Sequence, residues 1–140
     1  MLATPSMLLT AAVTILAAIL YMFTIIRVGN MREKHNIAAP AVTGNPEFER
    51  AYRVQMNTLE AMPMFLPALW IAAITFTRVG FLVPVIGLVW IVGRIIYMQA
   101  YMADPSKRSL GFGIGAFCQI ALLLLAIAGI VINWSAATAA

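Results

Sequence analysis

Four polar side chains share one face of a segment that is otherwise apolar. They are Arg50, Arg53, Asn57 and Glu60, and they fall within an arc of about 80° at the helical turn of about 100° per residue. A charged group on such a segment is costly in hydrocarbon. The stripe therefore predicts either a network that ties helices together or the wall of a polar cavity that opens to the cytoplasm.

The next apolar segment carries a second face of this kind, where Arg94, Tyr97 and Tyr101 lie three and four residues apart. Glu60 and Arg94 each lie about 15 Å along their helices from the polar end, at a rise of about 1.5 Å per residue. Because each charge alone would be poorly solvated there, we predict a structural ion pair between them. For the other members of the two faces, a structural role and a cavity-lining role both stay open.

Two further polar residues stand apart from these faces. Gln55 points about 160° away from Arg53, so we expect it to face another protein surface, such as a second subunit, or to reach the lipid headgroups. Arg108 lies beside Lys107 in the loop after the second face. From the residues alone, both are interpreted as charges that set the topology at the membrane interface.

The composition excludes a water-soluble domain. Hydrophobic residues make up 63% of the 140 residues and charged residues 10%, with a mean hydropathy of +0.94, whereas soluble chains are about half apolar and about a quarter charged. The net charge is +4, but the basic residues form no cluster with interleaved aromatics, so no nucleic-acid partner is expected. With one cysteine, Cys118, and one histidine, His35, neither a disulfide framework nor a metal site is predicted.

Four apolar stretches are long enough to cross a bilayer as helices. They run from Met7 to Ile26, Pro46 to Thr77, Phe81 to Ala103 and Ser109 to Trp134, with a polar connection from Arg27 to Glu47 and turns at 78–80 and 104–108. Asn45 is the expected cap of the second helix, with Pro46 in its first turn. The chain is thus expected to form one all-α integral membrane domain over residues 1–140.

The loop charges predict the orientation. Four spans place both termini on one side, and the first and third loops on the other. Those two loops carry the larger set of basic residues, namely Arg27, Arg32, Lys34, Lys107 and Arg108, while the second loop carries Arg78. Because basic loops favour the cytoplasm, we expect them and the polar stripe to face it.

Two long runs resemble a known family. They are "PAVTGNPEFERAYRVQMNTLEAMPMFLPALW", from Pro40 to Trp70, and "GRIIYMQAYMADPSKR", from Gly93 to Arg108. Both are similar, in order, to the membrane-associated proteins in eicosanoid and glutathione metabolism (MAPEG), closest to the branch of microsomal glutathione transferase 2 and leukotriene C4 synthase. The resemblance covers essentially the whole chain and implies an up-down four-helix membrane bundle that assembles as a homotrimer.

The resemblance also implies a site for glutathione between neighbouring subunits, near the cytoplasmic face. By position, Arg108 matches the arginine that stabilises the glutathione thiolate. The matched glutathione-binding residues are Arg53, Gln55, Asn57, Glu60, Tyr97, Tyr101 and, from a neighbouring subunit, Arg32. These roles suit the ligand, since a free thiol has a pKa near 8.5 and a guanidinium beside the sulfur favours its anion. Arginines suit its two carboxylates.

Two positions depart from the family pattern. Glu33 stands where leukotriene C4 synthase has a second consecutive arginine, so the resemblance does not extend to specialised epoxide-lipid conjugation. Ala61 stands where family enzymes carry an aromatic residue after the glutamate, which removes one contact to glutathione.

The expected function is that of a glutathione S-transferase of the membrane type, with glutathione as co-substrate and no metal. Its second substrate is expected to be a hydrophobic electrophile or a lipid hydroperoxide, reached through membrane lipids. The compact loops favour a bacterial inner membrane. The alternatives are a non-catalytic member of the family that binds lipid or glutathione, and a purely structural bundle with an ion-paired core.

Overall fold

Four long helices make up the chain in a computed structural model that describes residues 4–78 and 80–139. The helices are α1 (Pro5–Lys34), α2 (Pro46–Thr75), α3 (Leu82–Ala103) and α4 (Ser109–Thr138), and a short 3-10 helix (Pro105–Arg108) precedes α4. The all-α prediction is confirmed. Each of the four helices is long and apolar enough to cross a membrane.

The helices run alternately up and down. At one end, the Ser6 hydroxyl donates to the carbonyl of Gly80 at 2.8 Å, and the Asn133 amide donates to the carbonyl of Thr75 at 2.7 Å. The start of α1, the turn after α2 and the last part of α4 therefore meet at this end. The loop after α1 and the 3-10 helix lie at the other end, as an antiparallel order of four spans requires.

α1 is longer than predicted. The sequence suggested that it ends at Ile26, where the charges begin, but the helix continues to Lys34 and includes Arg27 and Arg32. The limit of an apolar span is not the limit of a helix, because arginine, methionine, glutamate and lysine are all good helix formers. The chain turns only after His35, where Asn36 takes a left-handed backbone with φ of 53°.

The other ends follow local chemistry. The Asn45 side chain accepts a hydrogen bond of 2.8 Å from the backbone N–H of Glu47, and Pro46 occupies the first turn of α2, as predicted. α2 ends two residues before the predicted Thr77, and α4 continues past Trp134. Asp104 caps the 3-10 helix by accepting from the N–H of Ser106 at 2.9 Å. This cap starts the chain into α4 and so places Arg108 at the entrance of that helix.

The core is apolar and centred on two stacked rings. Phe65 of α2 and Trp90 of α3 lie 3.8 Å apart between ring centroids and almost parallel, and both are fully buried with Val13, Leu69 and Leu122 around them. The outside of the bundle carries large exposed apolar side chains on every helix, including Ile15, Met64, Val92 and Phe117. Such a surface is matched by lipid rather than by water.

Candidate functional site

A buried arginine connects α3 to α2. Arg94 is 4% exposed, and its Nη1 and Nη2 both donate to Oδ1 of Asn57 at 3.0 Å, while Nη2 also donates to Oγ1 of Thr58 at 2.9 Å. Its guanidinium carbon lies 4.5 Å from the centroid of the Tyr97 ring. The polar stripe of α2 and that of α3 therefore do meet, through the Asn57 amide, and the hydroxyl of the neighbouring Thr58 adds a contact outside the stripe.

The predicted ion pair between Glu60 and Arg94 does not form. In the described part of the chain, the ion pairs join Lys34 and His35 to Glu47, and Lys107 to Asp104. Asn57 lies about one turn before Glu60 on the same face of α2, and it takes up both terminal nitrogens of the guanidinium. Glu60 is left exposed at the wall of a cavity that Arg94 also lines.

A groove of about 430 Å³ opens between α2, α3 and the start of α4. We call it the arginine groove, and it is lined by Arg53, Asn57, Tyr97, Ser106, Arg108, Ser109 and Phe112. Arg108 is exposed, with its guanidinium carbon 5.9 Å from the centroid of the Tyr101 ring. That ring in turn lies 5.5 Å from the ring of Tyr97. Two cations and the Tyr97 ring therefore surround one open space, and the Tyr101 ring lies beside both Tyr97 and Arg108.

Two smaller cavities adjoin the arginine groove. One, of about 170 Å³, shares Asn57 and Phe112 with it and adds Glu60, Trp90, Arg94 and Gln119 among its walls. The other, of about 340 Å³, shares Arg53 and adds Arg50 and Tyr101. Along this series of spaces, six of the eight residues matched to a glutathione site come together. They are Arg53, Asn57, Glu60, Tyr97, Tyr101 and Arg108.

The remaining two lie elsewhere in this chain. Arg32 donates from Nη1 to the carbonyl of Ala41 at 2.7 Å and lies over the ring of Phe48, 4.8 Å from its centroid. Gln55 is half-buried. Neither lines the three cavities just described.

Close packing of α4 on α3 forms the wall of the groove. A Cβ on Gly111 would lie 2.6 Å from Cα of Tyr97, so only glycine allows this approach. The Asp104 carboxylate accepts from both the hydroxyl and the N–H of Ser106, and these hydrogen bonds lower the pKa of Asp104. The loop that carries Arg108 is thereby fixed at both of its ends.

Sequence reasoning missed several residues of the site. Ser106, Ser109 and Phe112 line the groove. Serines in a polar turn and a phenylalanine in an apolar helix are ordinary residues there, so the sequence did not mark them as site residues. Gln119 did carry a signal, since it is an amide in the middle of an apolar span. It donates to the carbonyl of Ala61 at 2.8 Å, close to Pro63 of α2.

These features define a membrane-embedded four-helix protein with a polar groove at one end. The chain belongs to the MAPEG family, whose pattern it matches over residues 10–128, and it is an integral membrane protein. An uncharacterised protein of Synechocystis is 42% identical over 120 residues, which cover 86% of each chain.

Two named relatives are also similar over most of their length. Human microsomal glutathione S-transferase 2 is 40% identical over 122 residues, which cover 87% of this chain and 82% of that protein. Leukotriene C4 synthase of Cavia porcellus is 34% identical over 131 residues, which cover 94% of this chain and 86% of that protein.

Proposed function

We propose that this protein is a membrane-bound glutathione transferase that joins the sulfur of glutathione to hydrophobic electrophiles. The observation that carries the proposal is the arginine groove, where Arg53 and Arg108 lie around one space with Tyr97 and Asn57. Glutathione is a tripeptide with two carboxylates, one ammonium group and a thiol. The names of the relatives, a glutathione transferase and leukotriene C4 synthase, agree with such a ligand.

Arg108 is proposed to act on the sulfur. A guanidinium stays charged at any working pH and favours the anionic form of a thiol beside it. The glutathione thiol gives its proton to water, and the thiolate attacks the electrophilic carbon. With an aryl chloride, a carbon–sulfur bond forms, the carbon–chlorine bond breaks, and chloride leaves with the electron pair.

The remaining residues are proposed to hold the peptide. Arg53 suits a carboxylate, because a guanidinium binds one through paired hydrogen bonds. Glu60 is exposed at the cavity wall and carries the charge that suits an ammonium group. Tyr97 lines the groove, and the Tyr101 ring lies beside Tyr97 and Arg108; together they are proposed to limit the space around the sulfur.

A lipid hydroperoxide is a second substrate class for the same thiolate. The sulfur would attack the terminal peroxide oxygen, the oxygen–oxygen bond would break, and the released alkoxide would take a proton to give an alcohol. A second glutathione would then convert the sulfenic acid to a disulfide and water. The apolar outer surface supports access of such a substrate from the membrane, because it exposes large side chains such as Phe112 beside the groove.

We also propose a homotrimer in which Arg32 and Gln55 of one subunit complete the site of a neighbour. The half-burial of Gln55 away from the three cavities supports this arrangement, since a second subunit would give its amide hydrogen-bond partners. The basic loops are proposed to face the cytoplasm of a bacterial inner membrane, in line with the excess of positive charge there.

The test compares two adjacent cations of one turn. Arg108→Ala is expected to lower kcat for conjugation of glutathione to a chlorodinitrobenzene about 100-fold, in the range seen when a group that stabilises a developing anion is removed. It should also move the pH–rate curve to higher pH, because the bound thiol loses the cation that favours its anion. Lys107→Ala is the control, since Lys107 is exposed, pairs with Asp104 at 3.9 Å and does not line the groove.

Equal rates and equal pH profiles for the wild type and Arg108→Ala would overturn the proposed role of Arg108. Binding of glutathione without turnover of either substrate class would instead favour a non-catalytic member of the family. Absence of glutathione binding in a calorimetric titration of the wild type would overturn the function as a whole.

A further inference from the structure

The contact between Arg94 and Asn57 fixes which way an amide points. Arginine has five N–H donors and no acceptor. Nη1 and Nη2 of Arg94 both lie 3.0 Å from the same atom of Asn57, so that atom must be the amide oxygen. The NH2 group of Asn57 therefore faces away from Arg94, and Asn57 lines both the arginine groove and the cavity beside it.

Arg94 also holds a buried charge without a carboxylate beside it. Within the part of the chain that the structure describes, no acidic oxygen lies within 4 Å of its guanidinium. The groups around it are instead Asn57, Thr58, the Tyr97 ring and the Trp90 ring. A positive charge that is hydrogen-bonded to an amide oxygen polarises the amide and makes its NH2 a stronger donor.

We propose that Arg94 is a positioning residue that turns the Asn57 amide so that its NH2 donates to a carboxylate of glutathione. Arg94 binds no part of the substrate itself in this arrangement. It sets the direction of the amide and strengthens it as a donor, and the bound anion balances the buried charge. This inference rests on the proposed function, since it assumes that glutathione occupies the groove.

A purely structural role for Arg94 makes different predictions. In that case, its hydrogen bonds only tie α3 to α2, and removing any of them would lower stability without a selective effect on glutathione. Thr58 distinguishes the positioning role of Arg94 from the purely structural role. Its hydroxyl accepts a hydrogen bond from Arg94 at 2.9 Å, but it lines neither of the cavities that Asn57 lines. Thr58→Val is therefore the matched control that weakens the tie and leaves the amide direction unchanged.

The decisive variant is Asn57→Asp. It has nearly the same shape, keeps both acceptor contacts to Arg94 and places a negative charge beside a buried positive one, so the fold should be retained. It replaces the donor that faces the groove with an acceptor. We expect KM for glutathione to rise at least tenfold, and by more than in Asn57→Ala, with kcat at saturating glutathione within about threefold of the wild type.

The second arm measures whether Arg94 acts through Asn57. Arg94→Met should raise KM for glutathione about tenfold in the wild-type background, and Arg94→Lys should recover most of that loss because one ammonium can still donate to Oδ1. In an Asn57→Ala background, Arg94→Met should change KM less than twofold, since there is no amide left to turn. Each purified variant is first checked by thermal unfolding and by its elution volume.

The outcomes separate the two proposals. A wild type that neither binds nor conjugates glutathione overturns the proposed function, and this inference with it. A wild type that conjugates glutathione, together with an Asn57→Asp variant of unchanged or lower KM, overturns the positioning role alone. Equal KM effects of Arg94→Met with and without Asn57 would also overturn it. If Arg94→Met does not fold, the KM values of Asn57→Asp and Thr58→Val for glutathione still decide between the positioning role and the purely structural role of Arg94.

Discussion

Gly111 of α4 lies directly against the backbone of Tyr97 on α3, so close that a Cβ on Gly111 would come within 2.6 Å of the Tyr97 Cα. The nearest atom that such a Cβ would meet is the Tyr97 backbone nitrogen, which cannot rotate away as a side chain can. Tyr97 lines the arginine groove, and Arg108 lies three residues before Gly111. This contact therefore fixes how closely the α3 and α4 sides of the groove approach each other.

Gly111→Ala is expected to destabilise the protein by about 1–3 kcal/mol, the usual cost of overpacking. It should also lower activity, because α4 must move away from Tyr97. Gly113→Ala is the control on the same helix, since a Cβ there would meet nothing within 4 Å. Thermal unfolding and conjugation rates of the two variants check this, and equal behaviour would show that the close approach has no energetic role.

Glu60→Gln should leave the fold intact. Glu60 is exposed and forms no ion pair in the described part of the chain, so the unfolding free energy should change by no more than about 0.5 kcal/mol. KM for glutathione should rise about tenfold, because a hydrogen bond to a charged group contributes about 1.5–3 kcal/mol. Glu33→Gln, another exposed carboxylate, should change neither quantity. A large loss of stability in Glu60→Gln would instead support the ion pair between Glu60 and Arg94 that the sequence suggested.

Asp104 should contribute to stability only above its pKa. Hydrogen bonds from Ser106 lower the pKa of this carboxyl in the folded protein, so folding favours the ionised form. The contribution is fully present above the ordinary value of about 3.9 and is lost as the pH falls through the folded-state value. Asp104→Asn keeps an oxygen for the cap but cannot ionise. Below about pH 4, Tm of the wild type should therefore fall more steeply than Tm of Asp104→Asn, and parallel curves would contradict the assignment.

Mixed assemblies test the proposed contribution of a neighbouring subunit. Subunits with Arg32→Ala and subunits with Arg108→Ala should each form assemblies of low activity. When the two are expressed together in equal amounts, about one quarter of the sites would pair an intact Arg32 with an intact Arg108 if these residues come from different subunits of a ring. Activity above the mean of the two pure assemblies is the expected result. Activity equal to that mean would contradict the proposal. In that case Arg32 and Arg108 of a site come from the same subunit, or Arg32 lies outside the site and only contacts Ala41 and Phe48.

The helices and the faces of the site residues were predictable, because helical geometry alone fixes them. A period of about 3.6 residues puts Arg53, Asn57 and Glu60 on one side of α2 whatever surrounds it. The cap at Asn45 likewise needs only neighbouring residues. The end of α1 was predicted too early, because hydropathy reports where a span leaves the membrane and not where helical hydrogen bonding stops.

The tertiary structure decided which of those faces meet and at what height. Two helices can slide and turn against each other without any change in their sequences, and the packing of all four settles their positions. In that packing, Arg94 donates hydrogen bonds to Asn57 and Thr58 and does not pair with Glu60. Gly111 lies against Tyr97, and Arg108 lies at the groove. The sequence by itself determined a four-span membrane protein with a polar stripe. The pairing inside that stripe depends on distances of a few ångströms between helices, which no periodicity encodes.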